Sequence, residues 1–290
     1  MKIFVTGSTG LLGHQIVRLA LNSGHDVLAS YIGAPPASGE PVELNLLDLQ
    51  SIKSTIVKSK PDAIVHTAAY TDVDSCESNK DLALKLNAEA TKQIVLAADE
   101  IGAHLTYIST DYVFDGEKGR YKEDDEPRPI NYYGHTKLEG ERHVRARSKI
   151  WCIARTSAIY GWGGEKKNFA TWLLDNLSAG KQVKVVTNQY ISPTLNTNLA
   201  EMALEISERR LTGVLHTAGA SRVSRYEFAL ELAKVFERDP KIIRQAEIEE
   251  MTWPAKRPRD SSLDVSRCAK LLKTKPLGAS EALRVMKSQH

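Results

Sequence analysis

TGSTGLLG, residues 6–13, stands between the apolar run KIFV and the stretch HQIVRLALNSG. The run before it is short and β-rich. After it, Leu12, Ile16, Leu19 and Ala20 fall on one helical face, and Gly24 is a natural stop. Gly7, Gly10 and Gly13 are spaced by three, and with 18 Gly in 290 residues only about 0.07 such triplets are expected by chance. Strand, glycine turn and helix in that order begin a βαβ unit. Glycine serves three needs there: a sharp turn, close approach of the backbone to a pyrophosphate, and tight packing of helix on strand. The free N–H groups and positive dipole end of the helix then face the phosphates. The spacing is not Gly-x-Gly-x-x-Gly, so support has to come from the rest of the chain.

Outward from the turn, strands and helices alternate. HDVLAS (25–30) reads as a strand, GAPPASGEP (33–41) as a break, and VELNLLD (42–48) as containing a strand. LQSIKSTIVKSK (49–60) reads as a helix, PDAIVHTAAY (61–70) as a strand, and DLALKLNAEATKQIVLAADEIG (81–102) as one long amphipathic helix. AHLTYIST (103–110), YYGHTKLEGERHVRAR (132–147) and KIWCIART (149–156) continue the rhythm. The expected fold is α/β, a Rossmann-type doubly wound parallel sheet with a smaller C-terminal substrate lobe. Residues 1–160 form the dinucleotide-binding domain. Residues 161–290 form mainly the substrate lobe, with the strand near 212–217 returning to the sheet. A ligand is expected in the crevice beyond the strand C-termini.

Bulk properties narrow the function. The chain is 42% hydrophobic and 26% charged with a net charge of +3, an ordinary globular composition. The densest basic stretches, ERHVRARSK and PAKRPRD, are short and interrupted, which argues against nucleic acid as a partner. No apolar run reaches the roughly 18 residues of a membrane span. MKIFVTG enters folded pattern with no signal peptide, so a cytoplasmic location is expected. Cys76, Cys152 and Cys268 form no Cys-x-x-Cys pair, which excludes a disulfide framework and disfavours structural zinc.

An acidic residue about 20 positions after the glycines usually holds the adenine ribose. Asp26 has that offset, but it opens the second strand, while the ribose belongs at the far end, where Ser30 and Tyr31 stand. No carboxylate selects NAD there. The expectation is NADP(H), with NAD(H) the other candidate. Asp48 and Leu49 follow the third strand; Asp48 either accepts from the adenine amino group or caps the next helix. In NYYGHTKLEGE (131–141), Tyr133 has Lys137 one helical turn away. Ten Tyr and 22 Lys make about one such pair expected by chance, so for the pair alone the reading as a solvated helix face leads.

TGSTGLLG, HTAAYTDVDSCE, YISTDYVFDG and NYYGHTKLEGE, in this order and spacing, resemble the extended short-chain dehydrogenase/reductases, and within them the dTDP-4-dehydrorhamnose reductase family. NQYISPT and AKRPRDSSLD extend the likeness over nearly the whole chain. The resemblance implies a catalytic set of Thr110, Tyr133 and Lys137, with Ser109 the neighbouring alternative to Thr110. It implies cofactor contacts at Gly7, Gly10, Leu11, Leu12, Gly13, Ser30, Asp48, Leu49, Ala68, Ala69, Tyr70, Tyr133 and Lys137. Substrate contacts fall on Val73, Thr110, Tyr112 and Arg257, the last on a nucleotide diphosphate or in a surface salt bridge. A free Tyr titrates near 10, and a nearby ammonium together with the positive nicotinamide ring should lower Tyr133 below that.

The implied partner is a nucleotide sugar, and the resemblance leaves room for a homodimer. Two departures stand out. Ala158 in RTSAIYG lies where the rhamnose-pathway enzymes carry a Trp against the sugar, and Trp162 is a candidate to refill the space. Gln15 lies where some members have a Glu that helps bind Mg²⁺; a neutral amide is a poor ligand for it, so no such metal is expected. The implied activity is reduction of a 4-keto sugar. The competing readings are a non-catalytic regulatory subunit, as in the β subunit of methionine adenosyltransferase, and an epimerase or dehydratase.

Overall fold

The computed structural model describes residues 1–147 and 150–289. Its centre is a sheet of β1 (Lys2–Thr6), β2 (Asp26–Tyr31), β3 (Glu40–Glu43), β4 (Ala63–His66), β5 (His104–Thr110), β6 (Trp151–Thr156) and β7 (Gly213–His216). The strand order is β7-β6-β5-β4-β1-β2-β3 and every pairing is parallel. The order reverses between β1 and β4, so the loops leaving these two strands diverge and open a crevice. Register places Thr6 opposite His66, and His66 opposite Tyr107. β5 therefore runs past its neighbour by three residues and carries Thr110 to the crevice.

Alternation along β1 shows why both faces are covered. Ile3 and Val5 pack with Ile16 and Val17 of α1 (Gly13–Asn22) and with Leu199 and Met202 of a later helix, Asn196–Glu208. Phe4 points the other way, onto Ile52 and Ile56 of α2 (Leu49–Ser59) and Ile94 of α3 (Ala90–Ile101). A period of two with apolar residues on both phases is what a doubly covered parallel sheet requires. α4 (Tyr132–Arg147) lies on the same side as α2 and α3 and adds Val144 to that core.

Two elements differ from expectation. The long helix of 81–102 is broken: Lys80–Leu84 is α-helical, Lys85–Glu89 forms a π turn, and α3 begins only at Ala90. Such a bulge inserts a residue and re-aims its neighbours, and here it turns Asn87 inward. β3 starts at Glu40, inside the stretch read as a break. It is an edge strand containing Pro41, where a missing N–H does no harm.

The second core belongs to α5 (Phe169–Ser178), α7 (Arg225–Val235) and α8 (Ala279–Ser288), while α6 (Asn196–Glu208) packs in the core of the sheet and Leu195, just before it, reaches the second core. Leu173, Phe228, Leu232, Leu283 and Met286 are fully buried there. Val183–Val186 pairs in parallel with Ile243–Ala246, a connection the alternation pattern does not reveal because the strands are nearly 60 residues apart. This lobe is assembled from separate stretches of chain, since β7 joins the sheet between α6 and α7. Among the described residues, no helix is long and apolar enough to cross a membrane.

Candidate active site

Between sheet and lobe lies a cleft of about 670 Å³. One wall is the glycine turn: Gly7, Gly10, Leu11, Leu12 and Gly13, with Ala68 and Ala69 from the end of β4. Gly7 has φ +67°, a region that costs a side chain dearly, and a Cβ on it would lie 2.9 Å from the Ala68 Cα. A Cβ on Gly13 would collide with the Gly7 carbonyl. The N–H groups of Leu11 and Leu12 have no acceptor among the described residues. A backbone cradle with free donors at a helix N-terminus fits the diphosphate of a dinucleotide.

The facing floor carries Thr110, Tyr112, Tyr133 and Lys137, with Val73 nearby. α4 comes close to the turn that follows β5 because residue 134 is glycine; a Cβ there would strike the Tyr112 carbonyl. Lys137 is buried: its Nζ donates to the Ile108 carbonyl at 2.8 Å and lies 4.1 Å from the centre of the Tyr107 ring. Burial lowers its ammonium to about 7, against the opposing pull of Glu141. Without the nicotinamide charge, Tyr133 moves upward rather than downward. Burial pushes its phenol well above 10, the Thr110 hydroxyl opposes this, and the Asp111 carboxylate adds to it. In this conformation Tyr133 is a firmly protonated phenol.

Thr110 Oγ1 donates to Asp111 Oδ1 at 3.1 Å and accepts from the Tyr112 N–H at 3.2 Å. Ser109, the alternative to Thr110, points elsewhere: its hydroxyl donates to Glu141 at 2.7 Å. Asp111 is buried, and its other oxygen accepts from Ser157 at 2.8 Å and Ser261 at 2.5 Å. Burial raises its pKa, and the three hydroxyl donors and the Arg225 charge oppose the rise.

A buried network that no motif announced joins the two walls. Thr6 Oγ1 accepts from the Thr67 and Ala68 N–H groups at 3.1 and 3.2 Å and so gives its hydrogen to His66 Nδ1 at 2.7 Å. His66 Nε2 then donates to Thr91 Oγ1 at 3.0 Å, and Thr91 donates to the Asn87 carbonyl at 2.8 Å. Burial, with Lys137 nearby, lowers His66 to about 3, which keeps the imidazole neutral for this role. The Asn87 side chain accepts from the Tyr70 N–H at 2.7 Å and donates to Thr136, whose hydroxyl reaches the Tyr133 carbonyl at 2.9 Å. The Asn in LNAEAT, near the strand end in space but 17 residues past Tyr70, had no local signal beyond its polarity in an apolar helix.

Several expected residues lie off the cleft lining. Ser30 is buried and its carbonyl accepts from the Ser8 N–H and hydroxyl. Asp48 caps α2 through the Ser51 N–H at 3.4 Å, and Leu49 is the first residue of that helix. Tyr70 is held by Asn87. The Arg257 fork engages both oxygens of Asp74, at 2.8 and 2.7 Å.

Residues 1–289 match the family described as RmlD substrate binding domain. The chain belongs to that family. Among curated relatives it is 36% identical over 271 residues to a probable low-salt glycan biosynthesis reductase of Haloferax volcanii, covering 92% of this chain and 90% of the other. It is 34% identical over 279 residues to the methionine adenosyltransferase 2 subunit beta of Xenopus tropicalis, covering 93% and 82%. Among solved structures, a hypothetical dTDP-4-dehydrorhamnose reductase from Sulfolobus tokodaii superposes with a TM-score of 0.87 at 42% identity, covering 96% and 97%. The dTDP-4-dehydrorhamnose reductase of Bacillus anthracis, solved with NADP, superposes with a TM-score of 0.90 at 28% identity, covering 100% and 99%. This member of the RmlD family lines its cleft with Ala158, at φ +42°. Trp162 does not refill the space. Its indole N–H donates to the Met286 carbonyl at 2.7 Å and its ring packs edge-on against Phe236, inside the lobe.

Proposed function

We propose that this protein reduces the 4-keto group of a nucleotide-linked sugar, with dTDP-4-dehydro-L-rhamnose to dTDP-L-rhamnose the specific reaction. It is an NAD(P)-dependent oxidoreductase, and NADP(H) is the favoured cofactor. The observation that carries the reading is that the glycine cradle and the set Thr110, Tyr133 and Lys137 line one cleft.

When bound, the reduced nicotinamide supplies the hydride. Tyr133, held protonated by burial, gives its proton to the carbonyl oxygen. Thr110 turns the hydrogen it gives to Asp111 toward that same oxygen and stabilises the charge developing there. Lys137 holds the nicotinamide ribose hydroxyls, and Gly7 to Gly13 hold the diphosphate. Ala68 and Ala69 complete the cofactor wall within the cleft, and Ser30, Asp48, Leu49 and Tyr70, outside its lining, are assigned to the cofactor by the family resemblance. Val73 and Tyr112 border the sugar. Arg257 takes the substrate diphosphate when its pairing with Asp74 opens.

The test is to supply dTDP-4-dehydro-L-rhamnose, made in situ, with NADPH or NADH and to follow loss of the reduced nicotinamide absorbance. Turnover is expected. Tyr133→Phe should lower kcat by roughly 10²–10⁴ while leaving cofactor affinity in place; turnover near wild type in that variant removes Tyr133 as the proton donor. A regulatory role is the second reading, favoured by the 34% identity to the methionine adenosyltransferase subunit. Cofactor binding without turnover of any keto sugar, together with capture of a synthetase, would establish it instead.

A further inference from the structure

The lobe side of the cleft carries one guanidinium, that of Arg225, the first residue of α7. Three contacts hold it. Its backbone N–H donates to the Gln189 carbonyl at 3.0 Å, its Nε donates to Gln189 Oε1 at 2.7 Å, and the guanidinium carbon lies 5.2 Å from the centre of the Phe169 ring. Gln189 is fully buried, and its own N–H group reaches the Pro258 carbonyl at 3.5 Å, which turns Oε1 toward Arg225. The two terminal NH₂ groups of Arg225 have no acceptor among the described residues, and no carboxylate lies within 4.0 Å. A half-buried guanidinium anchored by Nε and an aromatic face presents a fixed two-pronged donor. Its charge is felt at longer range by the buried Asp111 carboxylate, with which it makes no ion pair among the described residues. Arg257, by contrast, has its fork filled by Asp74.

We infer that Arg225 is a specificity-determining residue: it takes a bidentate anionic group of the substrate, either a phosphate of the nucleotide diphosphate or a carboxylate on the sugar. The inference rests on the nucleotide-sugar reading above.

The test uses the full chain loaded with NADPH and titrated in a calorimeter with dTDP, a neutral dTDP-hexose and a dTDP-hexuronate. Wild type, Arg225→Ala and Arg225→Lys are compared. Arg225→Ala is expected to weaken binding by about tenfold to a hundredfold, and Arg225→Lys, which keeps the charge without the fork, by less. Equal weakening for all three ligands identifies the diphosphate as the anion; weakening for the hexuronate alone identifies a sugar carboxylate. Unchanged NADPH affinity in each variant shows that the fold is intact. Wild type and Arg225→Ala binding all three ligands equally overturns the inference. Failure of wild type to bind any of them overturns the nucleotide-sugar reading first, and Arg225 with it.

Discussion

Two guanidinium–carboxylate pairs have the same chemistry and opposite settings. Arg155 and Glu141 meet through a double contact at 2.9 and 2.7 Å with side chains 0% and 1% exposed. Arg257 and Asp74 meet at 2.8 and 2.7 Å with side chains 12% and 33% exposed. The first ties α4, which carries Tyr133 and Lys137, to β6, and Ser109 of β5 joins it. The second ties the loop near 255–257 to the short helix Val73–Ser78 at the cleft mouth. Water decides the difference. A buried charge that loses its partner has no solvent to turn to, whereas an exposed one exchanges its partner for water or ligand at little cost. The inner pair is suited to fixing α4, and the outer pair to opening.

Breaking the inner pair should have the largest effect. Arg155→Met leaves Glu141 buried with only the Ser109 hydroxyl and should cost about 3–5 kcal/mol in urea unfolding. Adding Glu141→Leu should recover most of that loss, because the stranded charge is gone. A single variant that loses under about 1 kcal/mol would place this pair in the same class as the outer one.

Lys137 sharpens the comparison through pH. Burial holds it near 7 when folded, against 10.5 when unfolded. Above pH 7 the folded chain has shed a proton that the unfolded chain keeps. The unfolded state therefore binds more protons, and stability rises with pH across the window from 7 to 10.5. Relative to Lys137→Met, which does not titrate, wild type should gain about 2 kcal/mol between roughly pH 7 and pH 9. Parallel stability curves for the two proteins would mean that the ammonium is not desolvated.

The smallest effect is expected at the mouth. Arg257→Ala should change stability by about 1 kcal/mol or less, while raising KM for the nucleotide sugar. A large stability loss with KM unchanged would make the Asp74 pair a lock rather than a latch.

The parts legible from sequence are those whose chemistry is local. TGSTGLLG announces its cradle because turn, close approach and helix start lie within eight residues. The alternation of apolar strands and helices sets the parallel sheet, and Tyr133 and Lys137 share a face because a helical turn puts them there. The ionisation of Tyr133 was not legible: proximity to Lys137 suggested a lowered pKa, and burial reversed it. The π turn that aims Asn87 was hidden inside an unbroken helical pattern.

What only the tertiary structure decided lies between residues far apart. Asp74 and Arg257 are separated by 183 positions, Gln189 and Arg225 by 36, and Ser261 reaches Asp111 across 150. No periodicity relates such positions. Their contacts exist because the chain leaves the lobe, adds β7 to the sheet and returns, closing one wall of the cleft with segments that have no common local geometry. The sequence by itself determined the glycine cradle, since backbone conformation builds it. Packing of the lobe on the sheet determined the facing wall of the cleft, since side chains from separate segments must converge to make it.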